Sequence, residues 1–180
     1  MRKLIVSNLM SLDGFFEGPN GELDWHVVDE EFFDYAREML RSADSILFGR
    51  KTYEMMARYW PAAPKDEIAE KMNTLAKIVF SRTLDKAEWQ NSRLVRDDAA
   101  QEVATLKKMP GKDMVILGSA KLSLSLLEQG LIDEYRVILN PVLLGKGNLL
   151  FQNAAKKLNL KLKNTRMLKS GVALLYYGNA

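Results

Sequence analysis

The stretch DMVILGSAKLSLSLLEQGLIDEYRVILNPVLLGKG, Asp113 to Gly147, decides the fold. Met114 to Leu117, ending at Gly118, has the length and bounds of a buried strand, and Ser119 stands where a helix N-cap would stand. Leu122, Leu126 and Leu127 recur at one-turn spacing, Gly130 suits a left-handed helix cap, and Tyr135 to Leu139 resumes as a strand closed by Pro141. The pattern predicts a strand, a crossover helix and a strand, a unit that pairs its strands in parallel with a right-handed crossover. It sets Gly118, Ser119 and Ala120 at a strand's C-terminal edge and a helix start, where free amides and the helix dipole favour an anion. The same turn can be a tight connection with no ligand, since one Gly-Ser-Ala falls well short of a GxGxxG fingerprint.

Outward from this unit, the 180 residues fit one domain, 1–180, large enough to bury a core. The absence of cysteine removes disulfides and thiolate metal sites, and a single histidine removes a multi-histidine metal site, so no metal is expected. A net charge of +3 from 26 basic and 23 acidic residues is too balanced to argue for a nucleic-acid or membrane surface. The start, MRKLIVSNLMSLDG, reads as a first strand rather than a leader. No apolar run approaches the roughly 20 residues of a membrane span, so a cytoplasmic protein is expected.

In chain order the expected elements are a strand over Lys3 to Met10, a long loop from Phe15 to Trp25, and a helix over Asp29 to Arg41. The loop is either a lid or a surface excursion. A strand over Ser45 to Gly49 runs into a helix at Arg50 that must end before Pro61. Then come a short helix (Asp66 to Met72), a strand (Ala76 to Phe80), a weak strand around Leu94, a polar helix (Ala99 to Lys108), the central unit, and a terminal hairpin (Leu158 to Leu168, Val172 to Tyr177). The alternation predicts an α/β fold, a mostly parallel central sheet flanked by helices with antiparallel strands at one edge.

Three strand ends then lie on one side of the sheet: Gly49-Arg50-Lys51-Thr52, Ser81-Arg82-Thr83 and Gly118-Ser119-Ala120. Cations beside hydroxyls suit a phosphate, and a nucleotide with a 2′-phosphate fits better than one without. Arg50 and Lys51 oppose the dipole at a helix start, which calls for a compensating anion.

These residues carry a resemblance. SLDGFFEG (Ser11 to Gly18), GELDW (Gly21 to Trp25), FGRKTYE (Phe48 to Glu54) and the central stretch resemble the dihydrofolate-reductase-like superfamily. GLIDEYRVILNPVLLGKGNLLF (Gly130 to Phe151) looks more closely like the C-terminal reductase domain of the bifunctional riboflavin-biosynthesis deaminase/reductase. The resemblance implies hydride transfer from NADPH to a pteridine-like or pyrimidine substrate, most concretely 5-amino-6-(5-phosphoribosylamino)uracil. Reduction of dihydrofolate and NADPH binding without turnover are the alternatives. By resemblance, Gly49, Arg50, Lys51 and Thr52 open the phosphate-binding helix, Ser81, Arg82 and Thr83 hold the 2′-phosphate, and Gly118, Ser119 and Ala120 lie under the pyrophosphate, with serine replacing a second glycine. Leu9 and Phe16 would flank the nicotinamide, and Gly14 to Asp24 would form the lid.

Two departures stand out. The carboxylate that dihydrofolate reductases carry early in the helix after the lid falls on Glu30 or on Phe33 according to the direction of counting, so the acid is Glu30, another local acid, or absent. The Asp-Pro pair of the riboflavin reductases after the second strand has no counterpart in Arg50 to Pro61. Asp13, at the end of the first strand, is either a second proton source or a turn residue bonded to nearby amides. Trp25 and Phe33 could stack on a flat heterocycle or belong to the core, and His26 reads as a surface or lid residue. The apolar segments Val137 to Leu144 and Leu149 to Phe151 exceed what one edge strand should expose, which points to a homodimer unless the terminal hairpin covers them.

Overall fold

The computed structural model describes residues 1–152, 154–155 and 157–180. Ten strands and five α-helices follow in order: β1 (Leu4–Ser11), β2 (Phe15–Glu17), α1 (Glu30–Ser42), β3 (Ala43–Gly49), α2 (Arg50–Tyr59), α3 (Glu67–Thr74), β4 (Ala76–Phe80), β5 (Ser92–Val95), α4 (Ala99–Lys108), β6 (Asp113–Leu117), α5 (Ala120–Glu128), β7 (Glu134–Asn140), β8 (Asn148–Leu149), β9 (Leu160–Met167) and β10 (Ala173–Asn179). A short 3₁₀ turn, Trp60–Ala62, continues α2 where Pro61 forbids a further α-turn.

Eight strands form one sheet in the order β5-β4-β3-β6-β1-β7-β10-β9. The first six of these run parallel, and β10 pairs antiparallel with both β7 and β9. Side chains alternate between the two faces, as the strand period requires. Ile5, Ile46, Phe48, Val79 and Val115 pack with Tyr35, Met39, Tyr53 and Met72 of α1, α2 and α3. Leu4, Val6, Leu47, Ile78, Met114 and Ile116 pack with Val103, Leu106, Leu122 and Leu126 of α4 and α5. Helices therefore cover both faces of the parallel part, and the strands' buried runs follow from that.

Local chemistry sets the helix ends. The Asp29, Asp66 and Asp98 carboxylates accept first-turn amide protons at the starts of α1, α3 and α4. The carbonyls at the end of α3 are met by Lys77 of β4, a fully buried lysine whose Nζ donates to Met72, Asn73 and Leu75 at 2.8–2.9 Å and lies 4.4 Å from the Trp89 ring.

The structure corrects the expected outline in three places. The stretch from Phe15 is not loop throughout: β2 pairs antiparallel with β8, Phe15 with Leu149 and Glu17 with Asn148, to make a separate two-stranded sheet. β7 is internal, flanked by β1 and β10, so the hairpin covers most of its apolar surface and leaves Leu143 and Leu149 exposed. Ser119 precedes α5 without capping it through its side chain, which is engaged elsewhere.

Candidate active site

The C-terminal ends of β1, β3, β4 and β6 lie along one edge of the sheet, and the chain leaves β3 and β6 toward opposite faces. This is the topological switch at which open α/β sheets bind ligands. The two departing helices are tied together here. The Gly49 amide donates to Ser119 Oγ at 3.0 Å, and the Ser119 amide donates to Thr52 Oγ1 at 3.1 Å. Gly118 and Ser119 both sit in the left-handed region, with φ of 69° and 55°. A side chain at Gly118 would place its Cβ 3.2 Å from Thr52 Cγ2, so the close approach of the two helix starts requires glycine there. The first-turn amides of α2 and α5 have no helical acceptors, and they gather at one point.

A cavity of about 300 Å³ opens from this point inward, beneath α1 and α2. Leu9, Phe16, Lys51, Thr52, Gly118, Ser119 and Phe33 line it, and Leu23 and His26 contribute from the loop after β2. That loop is held at both ends: Asn148 Nδ2 donates to Glu17 Oε1 at 2.7 Å, and the Val27 amide donates to Asn140 Oδ1 at 2.8 Å. The inner wall carries Met39, Leu40, Met56, Trp60, Ile68 and Met72. Tyr35 donates or accepts at Ser7 Oγ across 2.7 Å, and burial pushes its phenol up to about 12.

Other expected site residues stand outside the cavity lining. Arg50 Nη1 donates to Thr83 Oγ1 at 2.8 Å and its Nε pairs with Glu54 at 2.9 Å, which joins the start of α2 to the turn after β4. In that turn Ser81 Oγ accepts from the amides of Thr83 and Leu84, the Arg82 side chain is exposed, and Arg96 braces the turn through the Arg82 and Asp85 carbonyls. Arg50, Arg82 and Arg96 thus share one corner beyond the strand ends, adjoining Gly49. Ala120 opens α5.

Glu30 is exposed in the first turn of α1 and paired with Arg37, away from the cavity lining. Asp13 is a loop fastener: it accepts from Ser11 Oγ at 2.7 Å and from the Gly145 amide at 2.7 Å, and also from the Leu144 amide. These bonds hold its carboxyl below the usual range. Trp25 donates its indole N–H to the Glu22 carbonyl and meets His26 edge-on, outside the lining. The sequence reading missed Asn8 and under-read His26. Asn8, buried in β1, and His26 both line the cavity, and Asn8 Oδ1 and His26 Nε2 are shielded from solvent without a partner among the described residues. Burial holds the His26 imidazole below its ordinary value against the opposing charge of Asp24. An asparagine within an otherwise apolar strand was the available signal for this polar end.

A mostly parallel sheet with helices on both faces, an antiparallel C-terminal pair and a cleft at the switch point define an α/β domain built to hold a ligand at its strand ends. The chain belongs to the RibD C-terminal domain family, which matches residues 2–174. The uncharacterized protein YyaP of Bacillus subtilis is 37% identical over 98% of this chain and 94% of its own length. Among solved structures, a Shewanella sp. PV-4 protein provisionally assigned to riboflavin biosynthesis superposes with a TM-score of 0.79 at 21% identity, covering 99% of both chains. The Thermotoga maritima diaminohydroxyphosphoribosylaminopyrimidine deaminase/5-amino-6-(5-phosphoribosylamino)uracil reductase gives 0.72 at 15% identity, with 99% of this chain spanning 57% of that one. These likenesses establish the fold. Among the described residues no helix is long and apolar enough to cross a membrane.

Proposed function

We propose that the protein is an NADPH-dependent reductase that delivers a hydride to a small heterocycle of pyrimidine or pteridine type. The observation that carries this reading is the pairing of two helix starts through Gly49, Thr52 and Ser119, beside a corner of three arginines and at the mouth of a largely apolar cavity. The residues fit a dinucleotide. Amides of the α2 and α5 first turns and Lys51 would hold the pyrophosphate, since they supply donors and positive charge. Arg50, Arg82 and the hydroxyls of Ser81 and Thr83 would hold a 2′-phosphate. When bound, NADPH supplies the hydride; the chain supplies orientation and a dry site. Leu9 and Phe16 supply apolar contacts for a flat ring, and Phe33 with the inner wall would take the acceptor.

The exposed position of Glu30 and the fastening role of Asp13 leave neither aimed into the cavity, which weighs against reduction of dihydrofolate by the early-helix acid. A homodimer is part of the reading. Leu143, Leu149 and the edge strand β9, with Leu160, Leu162 and Met167 exposed, offer apolar surface for a second copy.

Titration with NADPH and NADH, followed by nicotinamide fluorescence, tests the cofactor. Tight binding that prefers NADPH is expected. Arg82→Ala should weaken NADPH about 5- to 30-fold, the lower range for a charged hydrogen bond because the side chain is exposed and screened, and leave NADH unchanged. Equal effects on the two cofactors would remove the 2′-phosphate role.

A further inference from the structure

A phosphorylated sugar on the substrate brings nearly two negative charges, which proteins meet with arginine forks or clustered donors. The cavity has no such place. Among the described residues, Glu17 and Lys51 are the charged side chains in its lining, and Lys51 stands at the start of α2, the cofactor end. The wall that α1, α2, the 3₁₀ turn and α3 give to its inner part is methionine, leucine, isoleucine, alanine and aromatic residues, with the Tyr35 phenol as its polar group, already hydrogen-bonded to Ser7. The arginines of α1 turn away from it: Arg37 pairs with Glu30 and Asp34, and Arg41 with Glu67.

Asn8 of β1 and His26 of the loop after β2 also line the cavity, and each carries a buried polar atom, Asn8 Oδ1 and His26 Nε2, without a partner among the described residues. A buried polar atom left without a partner is destabilising. Two on residues that line the same cavity mark the edge at which a ligand completes the hydrogen bonding. The His26 ring is neutral near pH 7, because burial disfavours its cation, so this edge carries no formal charge to attract a phosphate.

We propose that the cavity takes an uncharged, flat, largely apolar ring compound whose one polar edge is read by Asn8 and His26, and that it does not take a phosphorylated substrate. This rests on the reductase reading for the hydride it receives, but the binding it describes is measurable apart from turnover.

The test is calorimetric titration of the full chain, free and saturated with NADP⁺, using three probes: 5-amino-6-(5-phosphoribosylamino)uracil, the same compound after phosphatase treatment, and menadione, a neutral flat quinone. Nicotinamide fluorescence reports NADPH binding separately. The dephosphorylated compound should bind at least as tightly as the phosphorylated one, or neither should bind while menadione does. His26→Phe, which keeps an aromatic ring in place, should weaken the bound neutral ring about tenfold and leave NADPH affinity within twofold. A tenfold or greater loss on removing the phosphate would overturn the proposal, as would binding of none of the three probes or indifference to His26→Phe. Failure to bind NADPH while a neutral ring still binds would sink the reductase reading and leave the cavity's preference standing.

Discussion

Ser119 replaces a glycine expected by resemblance, and its contacts allow the effect of removing it to be worked out. The residue is held at φ 55° and ψ 53°, a conformation that costs a side chain with a Cβ about 1–2 kcal/mol. Its hydroxyl accepts the Gly49 N–H at 3.0 Å. Ser119→Ala keeps the Cβ and the backbone strain, so the change isolates that hydrogen bond. Gly49 is only half-buried, so water can reach its amide and the loss should be about 1 kcal/mol rather than the larger penalty of a sealed orphan donor. Ser119→Gly loses the same bond but relieves the left-handed strain, and the freer unfolded chain offsets about 0.4–1 kcal/mol of that relief. Alanine should fall below wild type, and glycine should lie at or above alanine. In a domain of this size about 1 kcal/mol moves Tm by about 2–4 °C. Urea unfolding with unchanged m-values is the assay. An alanine variant as stable as wild type, or a glycine variant clearly below alanine, would refute the assignment of Ser119 as a strained bridge between two helix starts.

Lys77→Met should destabilise the protein by about 2–4 kcal/mol, because three carbonyls at the end of α3 lose a charged donor inside the core while the removed charge returns only part of its desolvation cost; a urea midpoint near wild type would show that the carbonyls find other partners. Asp13→Ala should speed amide exchange at Leu144 and Gly145 roughly tenfold by releasing the turn after β7, and unchanged protection there would remove its fastening role. The lowered His26 value carries a pH signature. Between that value and the ordinary 6.5 the unfolded chain binds more protons than the folded one, so stability rises with pH across this window and is lost as pH falls through it. Wild type should therefore lose stability on acidification below pH 6.5 more steeply than His26→Phe, and parallel profiles would contradict a buried neutral imidazole.

What could be read from the chain and what could not divides along the range of the interactions. Ala76–Phe80 and Ala99–Lys108 fall at their expected bounds because each carries its own signals, a short apolar run in one case and an Asp98 cap with a Pro-Gly stop in the other. The parallel order follows from the β6–α5–β7 unit and the alternation around it. β2 and β8 were not legible, since a two- or three-residue strand has no period of its own and exists only through a partner far along the chain, as Glu17 has in Asn148, 131 positions on. The site divides in the same way. The glycine, serine and arginine turns at the strand ends are local and could be named, whereas the bond from Gly49 to Ser119 crosses 70 positions and turned an expected cap into a bridge. Glu30 looked like an acid poised after the lid, but helical geometry also places it within reach of Arg37, and that local pairing holds it at the surface. Asn8 and His26 were the hardest to read, because their meaning lies in lacking a partner. A strand pattern predicts that position 8 is buried; only the packed molecule shows that no group among the described residues answers its carbonyl oxygen, which is the opening that the proposed ligand would fill.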